Sequence, residues 1–154
     1  MNIIEKSVRD LMKEHKHGGT PYFDALDAEL RVRHSLIMPL IFTVPWDRPI
    51  ALQGNFGLSV LNLMRSHNVV RPAVLWLKSS PRLDAPNDAW KQGTLEKNPI
   101  FLDDSCYSGK TIEAVDALLQ KDYGVNVHYT NVIYDGSKAR LKSVNSMFRY
   151  YDYF

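Results

Sequence analysis

Apolar residues at Ile3, Ile4, Val8, Leu11 and Met12 recur at helical spacing and predict an opening helix. Asn2 and Glu5 are placed to form its capping box. His15-Lys16-His17-Gly18-Gly19 ends it, and two histidines without a third ligand read as a loop rather than a metal site. Thr20-Pro21 starts a second helix whose face carries Phe23, Leu26 and Leu30, with Arg31, Arg33 and His34 as its solvated end. Leu36 to Val44 is apolar nearly throughout and predicts a strand or an irregular buried stretch, although Pro39 argues against a central strand. Pro49–Gln53 reads as a short buried strand, followed by Gly54-Asn55-Phe56-Gly57 and a helix with Leu58, Leu61, Leu63 and Met64. Ala73–Leu77 is a further buried strand that ends at Lys78.

The span 79–98 has mixed charge and proline punctuation, which predicts a long flexible loop of the kind that forms lids. Apolar residues from Pro99 lead into Asp103 and Asp104, and a helical pattern follows at Ile112, Val115, Leu118 and Leu119, with Gly124 to end it. Val125, Val127 and Tyr129 open an alternation that continues through Tyr134, and Asp135-Gly136 turns the chain. The tail from Met147 is rich in aromatics, and packing is the expected role for Phe148, Tyr150, Tyr151, Tyr153 and Phe154. Strands alternating with helices predict an α/β fold with a doubly wound, mainly parallel sheet flanked by helices. Ligands of such sheets bind outside the carboxyl ends of the strands. Three loops leave those ends here: Gly54–Gly57, the segment after Lys78, and Asp103–Thr111.

Composition narrows the function. A chain of 154 residues with 45% hydrophobic content suits one domain. A net charge of +2 carries no strong footprint for nucleic acid. The single Cys106 cannot form an internal disulfide, and no signal-type block opens the chain, so a cytoplasmic location is expected. The longest apolar stretch, Leu36 to Trp46, is too short to span a bilayer.

The chemistry concentrates in Asp103-Asp104-Ser-Cys-Tyr-Ser108-Gly109-Lys110-Thr111. A buried strand ending in acid and turning tightly into a helix directs backbone N–H groups and a positive helix end at one spot, which suits phosphate. Adjacent carboxylates add a site for hydroxyls or a metal. A nucleotide-triphosphate loop would need a glycine where Asp104 stands, and a carboxylate there would repel a β-phosphate.

The run resembles the phosphate-and-ribose loop of the type I phosphoribosyltransferases: apolar residues, two acids, three variable residues, then Ser/Thr-Gly-x-Ser/Thr. The resemblance implies 5-phosphoribosyl 1-diphosphate (PRPP) as ligand, held by Ser105, Cys106, Tyr107, Ser108, Gly109, Lys110 and Thr111. It implies Asp103 and Asp104 as the catalytic acids, accepting from the ribose hydroxyls and standing near Mg2+, directly or through water. It also makes Gly54 and Asn55 the diphosphate loop, Lys78 a cation for the leaving diphosphate, 79–98 a flap with Arg82, Lys91 and Lys97 as its cations, and 1–45 a candidate N-terminal hood. Tyr107 stands where 6-oxopurine enzymes of the family usually carry an acid, which counts against hypoxanthine or guanine as the acceptor.

The expected function is therefore Mg-dependent transfer of phosphoribose from PRPP to a nitrogen base, with release of diphosphate. Two alternatives keep the same loop: a non-catalytic regulator that senses PRPP or a nucleotide, and a partner-dependent defence or toxin effector. The expected partners are PRPP and a base or nucleotide, with no membrane, and a homodimer or an assembly with another protein.

Overall fold

The computed structural model describes residues 3–14, 20–71, 74–77, 83–84 and 95–152. Helices α1 (Ile3–Glu14), α2 (Thr20–Val32) and α3 (His34–Phe42) precede strand β1 (Ile50–Gln53), helix α4 (Gly54–Ser66) and strand β2 (Val74–Leu77). Then come β3 (Leu83–Asp84), β4 (Ile100–Cys106), α5 (Lys110–Tyr123), β5 (Tyr129–Asp135) and β6 (Val144–Arg149). One sheet runs β3-β2-β1-β4-β5-β6. Its last five members are parallel, and β3 adds an antiparallel edge to β2.

Both faces are covered, as an apolar parallel sheet requires. Ile50, Leu52, Ile100 and Leu102 face one core, shared with Leu11, Leu26, Leu30, Leu40 and Val60 from α1 to α4. Ala51, Leu75 and Phe101 face the second, shared with Val115 and Leu119 of α5. The alternation along β1 and β4 thus places α4 on one side of the sheet and α5 on the other. Residues 3–42 add three helices to the α4 side, where Val8, Leu26, Leu36 and Ile41 are fully buried.

Several expectations change. Residues 36–44 form helix α3 and its end rather than a strand, because Leu36, Ile37, Leu40 and Ile41 recur on one buried face. Pro39 sits inside that helix, where it forgoes one backbone hydrogen bond. Gly54–Gly57 is no free loop: α4 begins at Gly54 itself, and Leu58 is exposed while Phe56, Val60 and Leu63 pack inward. The fourth strand passes through both acids to Cys106, since β5 supplies ladder partners as far as Asp135. Val125 and Val127 lie ahead of β5 and pack against α5. The tail supplies β6, an edge strand whose only fully buried side chain is Phe148.

Candidate active site

The strand order reverses its direction of travel between β1 and β4: β1 leads outward to β2, and β4 leads the other way to β5. This switch point is where an open α/β sheet leaves a crevice at its carboxyl edge. Ile50–Leu52 pair with Ile100–Leu102, so β1 ends while β4 continues for several residues. Beyond Asp103, β4 has β5 on one flank and α2 leaning over it. A cavity of about 170 Å³ opens there, lined by Asp27, Asp103, Asp104 and the run Ser105–Ile112.

The turn into α5 is built by Gly109, whose φ of 82° places it in the left-handed region where glycine pays no Cβ penalty. Gly109 at the N-cap has no side chain to cap α5, so among the described residues its first N–H groups remain largely available beside the exposed Ser108, Lys110 and Thr111. The nearest contact is a long one, Lys110 N–H to Ser108 Oγ at 3.4 Å. This is an open cradle of backbone donors and two hydroxyls.

The acid pair is crowded. Asp103 Oδ1 accepts from Asp104 N–H at 2.9 Å, and Asp104 Oδ1 accepts from Ser105 N–H at 2.9 Å. Burial, followed by the charge of Asp104, holds the Asp103 carboxyl well above the usual carboxylate range. Arg31 Nε stands 3.5 Å from Asp104 Oδ2. Arg31 therefore stands beside the acid pair, where its sequence position suggested only a solvated helix end.

The acid that sequence reasoning missed is Asp27. Its Oδ1 accepts from Ser105 Oγ at 2.5 Å and from Tyr107 Oη at 3.1 Å. Burial, against the lowering effect of the Ser105 hydrogen bond, pushes its carboxyl up to about 6. Tyr107 is fixed on its other side. Its ring fills the space over Gly136, where an added Cβ would lie 2.5 Å from ring carbons, and it meets the Tyr134 ring at 5.9 Å. Burial raises the Tyr107 phenol and the Cys106 thiol far above their ordinary values, so neither serves as a base or a thiolate near neutrality.

The remaining candidates fall elsewhere. Gly54 (φ 60°) and Asn55 close the end of the neighbouring strand, and neither lines the cavity. Lys97 pairs with Asp47, and both precede their parallel strands, which puts them at the opposite edge of the sheet from the crevice. Asn2, His15, His17, Lys78, Arg82, Lys91, Tyr153 and Phe154 lie outside the described residues. Asp135 accepts from Ser137 N–H and Oγ, so it shapes the turn after β5. A larger cavity of about 380 Å³ runs along β6, but its charges are engaged with one another, Arg140 and Arg149 with Asp152 and Arg149 with Asp135. Among the described residues no helix is long and apolar enough to cross a membrane, and no group of three or more ligating side chains could hold a metal by itself.

No family model and no curated protein matches the chain. Solved structures do. Leishmania donovani UMP synthase superposes with a TM-score of 0.53 at 16% identity, over 80% of this chain and 27% of that one. A phosphoribosyltransferase from Corynebacterium diphtheriae superposes with a TM-score of 0.50 at 15% identity, over 79% and 75% of the two chains. The fold of this chain is that of the type I phosphoribosyltransferases.

Proposed function

We propose that this chain binds PRPP and transfers its phosphoribose to a nitrogen base, releasing diphosphate. The observation that carries the reading is the cavity at the switch point, which gathers Asp103, Asp104 and the Ser108–Thr111 turn. The 5-phosphate would sit on the first N–H groups of α5 and on the Ser108 and Thr111 hydroxyls. Gly109 keeps the backbone open to it. The ribose hydroxyls would donate to the acid pair, whose negative charge also favours the positive charge that develops at C1 as its bond to diphosphate stretches. Gly54 and Asn55, at the end of the adjacent parallel strand, would offer backbone donors to the diphosphate.

Two carboxylates are hard oxygen donors, too few for a protein-only cation cage but the number a magnesium ion takes when phosphates supply the rest. Asp103 and Asp104 would hold that ion, which when bound neutralises the departing diphosphate.

The test is calorimetry with PRPP and Mg2+, then diphosphate release across adenine, guanine, hypoxanthine, uracil and orotate. Asp103→Asn with Asp104→Asn is expected to lower turnover by ~100-fold or more without lowering the melting temperature, because it relieves a carboxylate repulsion. Folded protein that does not bind PRPP at millimolar concentration would remove the reading. Binding with no release on any base would select the regulator over the enzyme.

A further inference from the structure

Helix α2 presents two polar residues one turn apart, Asp27 and Arg31, beside the buried Leu26 and Leu30 that hold it on the core. Both polar residues reach the carboxyl end of β4, Arg31 at Asp104 and Asp27 at Ser105 and Tyr107. Their hydrogen-bonding states differ. Asp104 has a backbone N–H on one oxygen and a guanidinium beside the other, and Asp103 accepts a backbone N–H. Asp27 takes two hydroxyl donors on the same oxygen, Oδ1, and its Oδ2 has no hydrogen-bond partner among the described residues. An ionised carboxylate offers about four acceptor positions, so half of this group stands open in a half-buried place that faces the cavity.

Position matters as much as capacity. The α5 N-terminus reaches the cavity from one face of the sheet and α2 from the other, with the acid pair of β4 between them. A ligand with its phosphate on α5 and its sugar at the acid pair extends toward α2. Tyr107 has no proton to give it, because its hydroxyl donates to Asp27, and its ring is held over Gly136. The two hydroxyls on Oδ1 fix the carboxylate so that Oδ2 is presented in one direction.

We infer that Asp27 is the residue that selects the base, its Oδ2 accepting a hydrogen bond from an N–H on the edge of the base attached to the phosphoribose. The inference rests on the reading above and names the residue that reads the acceptor.

Binding by calorimetry separates the two. Ribose 5-phosphate carries the phosphate and sugar alone; AMP, GMP, IMP, UMP and CMP add a base. At least one nucleotide should bind the unmodified protein more tightly than ribose 5-phosphate does. Asp27→Asn keeps an oxygen for Ser105 and Tyr107 but turns an amide N–H toward the base. It should cut that advantage about tenfold and reorder the five nucleotides, with ribose 5-phosphate affinity changed less than about twofold and the melting temperature no lower. If Asp27→Asn melts early, Asp27→Ser is read the same way, and the preferred nucleotide should fall to the level of ribose 5-phosphate. Equal losses for ribose 5-phosphate and every nucleotide would mark a structural role and overturn the inference. So would an unchanged order, or ribose 5-phosphate binding that no base improves. If neither PRPP nor ribose 5-phosphate binds folded protein, the functional reading itself fails and takes the inference with it.

Discussion

Two neighbouring parallel strands each hand the chain to a helix through a left-handed glycine, Gly54 after β1 and Gly109 after β4. The backbone device is the same; the use made of it differs. At the β1 junction the helix begins on the glycine, and the carbonyl of Gly54 accepts the Trp76 indole N–H at 2.8 Å. Its neighbours Phe56 and Gly57 are buried, and no charged side chain is near in sequence. At the β4 junction the strand outruns its neighbour, delivers two acids, and leaves exposed hydroxyls around the turn. A glycine turn into a helix therefore provides anion-facing N–H groups generically, and the side chains just before it decide what else the ligand must carry.

The sharpest break in the comparison is Gly57, a packing glycine with no counterpart at the β4 junction. A Cβ there would lie 2.9 Å from Trp76 Cδ1 and 3.0 Å from Leu52 Cβ. Trp76 is pinned by its hydrogen bond to Gly54, and Leu52 belongs to the central strand, so neither can move aside cheaply. Gly57→Val is expected to cost about 3 kcal/mol in urea unfolding. A loss below about 1 kcal/mol would mean that α4 does not bear on β1 as closely as the packing requires.

A milder pair of substitutions asks whether the junctions bind different parts of one ligand. Alanine in the left-handed region costs about 1–2 kcal/mol at either glycine, since neither Gly54 nor Gly109 is crowded. The functional effects should diverge. Gly109→Ala should weaken ribose 5-phosphate and PRPP alike, by about tenfold, whereas Gly54→Ala should weaken PRPP and spare ribose 5-phosphate. Identical effects on both ligands would dissolve the division of labour between the two turns.

What was legible in the sequence follows the same divide between local and distant. The β4 junction could be read because its acids, hydroxyls, glycine and helix lie within a dozen residues, and the strands on either side showed as continuous apolar runs. Helix α3 was hidden because Pro39 and apolar residues on most of its sides blurred the period. The edge strand β6 was hidden because it buries one side chain. Asp27 and Arg31 could not be found at all: Ser105 is 78 residues from Asp27, and only the packing of Leu26 and Leu30 brings the helix over β4. A single aspartate after a leucine on a helix carries no spacing that distinguishes it from a solvated position.

That distant arrival has a consequence for stability, the smallest of the expected effects. The Asp27 carboxyl is pushed from its ordinary 3.8 up to about 6, chiefly by burial, with the Asp104 charge adding to the rise and the Ser105 and Tyr107 hydroxyls and Arg31 opposing it. The folded state thus holds the proton more tightly than the unfolded state. The group's favourable contribution is complete below about pH 4, is lost as pH rises to about 6, and is absent above. A rise of that size would correspond to ~2.7 kcal/mol if fully expressed, and the partial exposure of Asp27 to solvent screens this to on the order of 1 kcal/mol. Asp27→Asn removes the penalty of an ionised carboxylate and keeps an acceptor for both hydroxyls. The variant should therefore be the more stable protein at pH 8, melting a few degrees higher, and should match the unmodified chain at pH 3.5. The Asp103 carboxyl is also raised, chiefly by burial and the Asp104 charge and least by that of Asp27, so most of its share cancels in the difference. Equal stability of the two at every pH would mean that Asp27 is solvated like any surface carboxylate, and the contrast between the β4 junction, with its helix-borne third acid, and the plain β1 junction would lose its electrostatic half.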